Sequence, residues 1–199
     1  MRFLARGAEA ELYLDRFLSK KIVVKKRAKK KYRIREIDSK LRRSRTRGEA
    51  SLLHSAKEAG VLCPVVFEVG EFEIRMSVAE GALLREFLKK KREVKEVLKE
   101  VGRGLARLHS AGIVHGDFTT ANVIVGRRVF FIDFGLGGFS NDLEEKAVDV
   151  LLMKKSLGNK KDYGYFLMGY REYGEFQKVL EKLEEIERRG RYVVRSWAA

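Results

Sequence analysis

The sequence predicts an α+β fold in which a β-rich first lobe precedes a helical second lobe. Two patterns carry that prediction: the first quarter of the chain holds short mixed apolar and β-branched runs, and from Leu83 onward apolar residues recur at helical spacing. Size agrees, since 199 residues suffice for one ordinary domain, or for one built of two small lobes, around a sizeable core.

Arg2–Arg6, Glu11–Asp15 and Lys21–Lys25 read as strands separated by turn-compatible residues. Asp38 is placed to cap a helix running to about Ala59, with Leu41, Leu52, Leu53 and Ala56 near one face and Gly60 as its stop. Val65–Val69 and Phe72–Val78 form a hairpin joined at Gly70-Glu71. Helices are expected over Leu83–Lys91 and Glu93–Ala111, then a short pair of strands at Val123–Val125 and Val129–Ile132. Asn141–Ser156, Asp162–Tyr173 and Gly174–Arg189 complete the helical part. No internal repeat or low-complexity linker is visible.

Hydrophobic residues at 45% and charged residues at 36% exclude a disordered or fibrous class. No stretch reaches the apolar length of a membrane span, and a charge at Arg2 interrupts any secretory leader, so a cytoplasmic location without membrane attachment is expected. Cys63 is the lone cysteine, which excludes an internal disulfide and, with three histidines, a structural zinc site. The net charge of +15 is concentrated: between Lys25 and Arg47 stand 13 Lys or Arg against Glu36 and Asp38, a surplus of 11. Arg188, Arg189, Arg191 and Arg195 form a second cluster with Tyr192 and Trp197. Both clusters are suited to a polyanion, although a charge run is more often only a solvated face.

The chemistry-bearing residues are His115-Gly116-Asp117-Phe118-Thr119-Thr120-Ala121-Asn122, followed after a short strand by Asp133-Phe134-Gly135. Phosphoryl transfer needs a carboxylate near the nucleophile and oxygen ligands that hold magnesium against phosphates. Asp117 is the candidate base, and Asn122 and Asp133 are hard-oxygen ligands suited to magnesium. Any one of them alone reads as a loop former; their order and spacing after a helix is the signal.

These residues resemble the protein-kinase superfamily, in which H-x-D-x-x-x-x-N precedes D-F-G. Gly7-Ala8-Glu9-Ala10-Glu11, Val23-Val24-Lys25, Tyr32-Arg33, Arg45-Thr46-Arg47-Gly48-Glu49-Ala50 and Glu145-Lys146-Ala147-Val148-Asp149 extend the likeness to the small atypical kinase subunit of the KEOPS complex, PRPK-type. That resemblance covers nearly the whole chain. It implies a minimal bilobal protein-kinase-like fold, with an N-lobe of about residues 1–78, a truncated C-lobe of about 80–190 and a basic tail of about 188–199. It also implies an autophosphorylating Ser/Thr kinase and ATPase using ATP and Mg2+. Its partners would be the universal threonylcarbamoyl-transferase (Kae-type) subunit, other KEOPS subunits and tRNA, whose position 37 receives N6-threonylcarbamoyladenosine. The basic segment 25–47 and the tail are the expected tRNA contacts.

A strand period of two sends Lys25 and Lys26 to opposite faces, so one of them faces the cleft; the resemblance selects Lys25 for the α- and β-phosphates. Glu49 shares its helical side with Leu52, Leu53 and Ala56 and is the expected partner of Lys25, with Arg45 on its own helix as the rival. The loop Gly7, Ala8, Glu9, Ala10 has one glycine where kinases have three, so fewer backbone N–H groups approach phosphate. Met76, Ser77, Val78 and Ala79 are the expected adenine edge from position alone, and Met76 reads equally as core. Asp149 either braces the catalytic loop or lies on a helix surface. No A-P-E-like segment follows Gly135, and Pro64 is the only proline, which removes the usual platform for peptide substrates. An aminoglycoside-phosphotransferase-type enzyme shares the His-Gly-Asp loop but carries an acid-lined insert that is missing here. A non-catalytic tRNA-binding scaffold conflicts with the retained Lys25, Asp117, Asn122 and Asp133.

Overall fold

The structure, a computed structural model, describes residues 1–7, 9–30, 32–90 and 93–196, the last seven by their backbone alone. Ala8 and Trp197 lie outside the described residues, as do the side chains of Arg191, Tyr192 and Arg195.

An antiparallel five-stranded sheet forms the N-terminal lobe, from β1 (Arg2–Arg6), β2 (Glu11–Phe17), β3 (Lys20–Lys26), β4 (Val66–Val69) and β5 (Glu73–Ser77), in the order β1-β2-β3-β5-β4. Its centre is β3, where Ile22 and Val24 are buried at alternate positions and Lys25 pairs in register with Leu12 and Ile74. Helix α1 (Arg35–Glu58) packs on this sheet through Thr46, Glu49, Leu52, Leu53 and Ala56, a stripe at three- and four-residue spacing. Gly60 at φ +76° follows as its expected stop.

Asp38 is not the cap of α1. The helix begins three residues earlier, with Ile34 preceding it, and Asp38 is fully buried inside it. Its carboxylate accepts from Arg42 Nε at 2.8 Å, faces Arg33 at 3.8 Å and receives the Lys30 N–H. Two guanidinium groups and a backbone N–H compensate the desolvation of a charge that a free helix end would have left in water.

The C-terminal lobe holds β6 (Ala82–Leu83), α2 (Leu84–Lys89), α3 (Val94–Ser110), β7 (Ile113–Val114), β8 (Val123–Val125), β9 (Val129–Phe131), β10 (Gly138–Phe139), α4 (Leu143–Leu157), α5 (Lys160–Tyr170) and α6 (Phe176–Ser196). The sequence reading merged β6 with α2 and missed β7 and β10, since two-residue strands carry no periodicity of their own. It also ran α5 on to Tyr173. Asn159 starts that helix by accepting the Asp162 N–H, and Asp142 caps α4 through the Glu144 N–H, so both begin where their side-chain caps sit.

Helices α3 and α5 cross closely. A methyl at Gly102 would collide with the Phe166 carbonyl and one at Gly169 with the Lys99 carbonyl, so only glycine permits this backbone approach. The close crossing seats Leu98, Val101 and Leu105 against Phe166 and Tyr170 in one core that continues to Phe118, Phe131 and Phe134 under the catalytic loop.

Candidate active site

Two backbone segments from the C-terminal lobe and two elements from the N-terminal lobe meet at one place. The β7–β8 loop carries Asp117 and Asn122, and the segment after β9 carries Asp133. Strand β3 contributes Lys25, and α1 contributes Glu49.

Lys25 Nζ donates to Glu49 Oε1 at 2.5 Å and to Asp133 Oδ1 at 2.7 Å, with its side chain 7% exposed. Lys26 points the other way, pairing with Glu73 at 3.2 Å over the Tyr13 ring. The geometry thus separates the two lysines that period alone left equivalent. Glu49 meets Lys25 and not Arg45, whose guanidinium donates to Glu9 at 2.8 Å. A second cation, absent from the sequence reading, also holds Glu49: Arg27 Nη2 lies 2.6 Å from Oε2. Its sequence signal is the period of two, which puts Arg27 on the same face as Lys25.

Asp133 sits at φ +63° and its Oδ1 also accepts the Gly135 N–H. Partial desolvation pushes its carboxyl up, but the Lys25 ammonium, by charge and by hydrogen bond, outweighs that and leaves its pKa below the ordinary aspartate value. Asn122 Nδ2 donates at 2.8 Å both to the Asp117 backbone oxygen and to Asp117 Oδ2, which fixes the separation of the two side chains. The Asn122 carbonyl oxygen is then the atom left for a cation. Its backbone N–H and carbonyl bond Thr119 and Ile132, tying the catalytic loop to the strand that delivers Asp133.

Beneath these groups lies His115, fully buried between Phe118 and Phe134. Its Nε2–H donates to the Ile132 carbonyl at 3.1 Å, while Nδ1 accepts the Asp117 N–H at 3.4 Å, an arrangement that suits a neutral ring. Burial lowers its pKa against the raising pull of Asp149 and other acids. Asp149 does brace the loop: it accepts the His115 N–H at 2.7 Å and the Gly116 N–H at 2.9 Å from full burial. Behind it stands His109, whose Nε2 is 3.3 Å from Asp149 and whose Nδ1 is 2.6 Å from the Tyr170 hydroxyl. Neither His109 nor Tyr170 was singled out from sequence, because nothing local marks a helix histidine as the partner of an aspartate forty residues away.

The remaining expected residues are less uniform. Gly7 N–H closes a turn on the Ala10 carbonyl, and Glu9 ties the loop to α1 through Arg45 and to Arg33, which precedes that helix. Met76 has its side chain buried in the core. The Ser77 N–H bonds the Val65 carbonyl, and its hydroxyl accepts the Val65 N–H. Val78 and Ala79 lie in the connection after β5. Within the basic segment, Lys25, Lys26, Arg27, Arg33, Arg42, Arg43 and Arg45 are all engaged with carboxylates, so much of the charge run is internal compensation.

Asp133 and Asn122 fit magnesium by donor type: one carboxylate and one amide oxygen are what this ion takes from protein when phosphates complete its shell. The Lys25 ammonium beside Asp133 shows that the position favours positive charge. Among the described residues no group of three or more His, Cys, Asp or Glu forms a metal cage of its own.

Comparison with known proteins agrees with this geometry. The family model of the protein kinase domain matches residues 6–158. The KEOPS complex subunit Bud32 of Pyrococcus abyssi is 44% identical, over 99% of this chain and 99% of that one. A probable bifunctional tRNA threonylcarbamoyladenosine biosynthesis protein of Methanobrevibacter smithii is 42% identical over 95% of this chain, which spans 36% of that longer protein. The Rio2 kinase of Chaetomium thermophilum, solved as an ADP/Mg2+-phosphoaspartate complex, superposes with a TM-score of 0.67 at 16% identity, over 97% of this chain and 72% of that one. The likeness to Rio2 shows the shared fold. This chain belongs to the protein kinase family and, within it, to the family of KEOPS Bud32 subunits.

Proposed function

We propose that the chain is an ATP-dependent Ser/Thr kinase and ATPase that serves the KEOPS complex in threonylcarbamoyladenosine modification of tRNA position 37. One observation carries the catalytic part: Lys25, Glu49, Asp117, Asn122 and Asp133 converge from separate segments. In this reading Lys25 leaves Asp133 for the α- and β-phosphates and Glu49 steadies it. Asp117 orients or deprotonates the attacking hydroxyl or water. Asn122 and Asp133 hold magnesium, which when bound would neutralise phosphate charge. The turn from Gly7 through Ala10 covers the phosphates. Backbone groups of Val78 and Ala79 face the base.

The partner part rests on the relatives. A Bud32 subunit matching the full chain supports a place in KEOPS, and the longer bifunctional proteins support a Kae-type neighbour. Phosphate release from ATP by the purified chain, alone and with its KEOPS partners, tests the enzyme. It is expected to require magnesium and to vanish in Asp133→Ala; release that survives that change would leave the scaffold reading standing.

A further inference from the structure

Arg27 stands two residues beyond Lys25, and the period of two turns both side chains to the same face. Its side chain is 4% exposed. Nη2 reaches Glu49 Oε2 at 2.6 Å and the Arg45 carbonyl at 3.3 Å. The Glu49 carboxylate is therefore divided, with Oε1 held by Lys25 and Oε2 by Arg27. Arg27 also touches the far side of the site. A methyl built on Gly135 would lie 3.0 Å from Arg27 Nη2, 3.1 Å from Asp133 Oδ1 and 3.4 Å from Glu49 Oε2. The guanidinium thus packs against the segment that carries Asp133 as well as against α1. The main chain is held as firmly: Arg27 N–H bonds the Phe72 carbonyl, and its own carbonyl receives Arg42 Nη1.

The fold keeps this arrangement against a penalty, since Arg27 Nε is buried with no hydrogen-bond partner among the described atoms. Lys25, Arg27, Glu49 and Asp133 form a group of two cations and two anions whose charges balance. Once Lys25 turns to a phosphate, a Glu49 without Arg27 would be a buried carboxylate short of a cation, and α1 would have reason to swing outward. Protein kinases ordinarily control this pair through helix position and a phosphorylated activation loop. Here the chain runs from Gly135 to the start of α4 at Leu143 in a few residues.

We propose that Arg27 is a positioning residue of the phosphotransfer site. It holds Glu49 inward when Lys25 engages the nucleotide, and so keeps the site assembled without a phosphorylated loop. The inference rests on the nucleotide reading above and adds to it a residue that acts through Glu49, not on the phosphates.

The test is a double-mutant cycle on the full chain with its KEOPS partners, reading magnesium-dependent ATP turnover and thermal melting together. Arg27→Gln is expected to lower kcat/KM for ATP roughly ten-fold or more, and Arg27→Lys, which keeps the charge but not the fork, to recover part of that loss. In a Glu49→Gln background the same Arg27→Gln change is expected to alter turnover less than about two-fold, because its target is gone. A merely structural Arg27 would lower melting and turnover alike in both backgrounds. Rate losses that multiply, or an Arg27→Gln variant as fast as wild type, overturn the proposal. If Arg27→Gln does not fold, Arg27→Lys in the two backgrounds supplies the same cycle. A wild-type chain without magnesium-dependent turnover would instead strike down the nucleotide reading, a result separate from additive losses.

Discussion

Lys25 and Asp133 are joined directly, Nζ to Oδ1 at 2.7 Å, although they lie 108 residues apart and in different lobes. On the proposed function, a nucleotide entering with magnesium parts them, since each end of the pair is assigned to the phosphates or their metal. Lys25→Ala is therefore expected to lower ATP turnover by about two orders of magnitude, as loss of a group that aligns a reacting phosphate does. Lys26→Ala removes only a partly exposed pair with Glu73 and is expected to change turnover less than about two-fold. Steady-state phosphate release from the two variants checks the assignment; equal losses would refute it.

Asp117, the proposed base, and Asp149, which braces the loop, are expected to fail differently when replaced. Asp117→Asn keeps shape and removes the carboxylate, so autophosphorylation should drop by about a hundred-fold or more while the melting temperature stays within a few degrees. Asp149→Ala should do the reverse first: it strands the buried His115 N–H, frees the Gly116 N–H and is expected to destabilise by about 2–5 kcal/mol. Urea unfolding of both variants, beside their activity, distinguishes the roles.

The catalytic loop was legible because its parts are contiguous: His115 through Asn122 is one loop, and Asp133-Phe134-Gly135 follows within one short hairpin. The α+β order was legible from periodicity. Side-chain direction was harder. Lys25 and Lys26 are equivalent to a period of two until α1 packs on one face, and Arg27 acquires its role only because Glu49, 22 residues on, arrives beside it. Asp38 has the composition of a helix cap, yet Arg33, Arg42 and the Lys30 N–H draw it into the first turn. Ser77 has its N–H taken by a strand partner, Val65, and pairing across a sheet leaves no trace in the residue itself.

Acid should destabilise the fold in two stages. His109 and His115 are both held below the usual imidazole value of 6.5, chiefly by burial, with Asp149 pulling the other way. The unfolded chain then binds more protons than the folded one below about pH 6.5, so stability falls as pH drops from there. Asp133, depressed by Lys25, contributes stability that is whole above its ordinary value of 3.8 and is lost as pH falls through the lower folded value. Melting temperatures between pH 8 and pH 3 are expected to decline first below about 6.5 and again below about 4. A flat profile between pH 7 and pH 5 would contradict two buried neutral histidines.

Glycines offer a paired test of packing. Gly169→Ala places a methyl into the Lys99 carbonyl where α5 crosses α3, and backbone on both sides cannot yield, so a loss of about 3 kcal/mol or more is expected. Gly48 is exposed on α1 with nothing within 4 Å of its missing methyl, and Gly48→Ala should raise stability by about 0.5–1 kcal/mol through helix propensity alone. Denaturant midpoints of the two variants should move in opposite directions.

The surface of the basic segment narrows the expected RNA contact to a few side chains. With seven of its cations facing carboxylates, Lys29, Arg35, Lys40 and Arg47 are, among the described residues, the exposed cations expected to meet phosphate, and Tyr32, 76% exposed, offers a ring on which a base can stack. Binding to tRNA should weaken steeply with salt, because each contact releases a counterion from the nucleic acid. Replacing those four cations by glutamine should reduce the slope of log affinity against log salt by about 3, whereas replacing Lys26 and Arg43, which are already matched by Glu73 and Glu71, should reduce it by less than about 1. Filter binding over a salt titration reads both. Equal slopes for the two sets of variants would mean that the polyanion is met elsewhere and that the charge of this segment serves the fold.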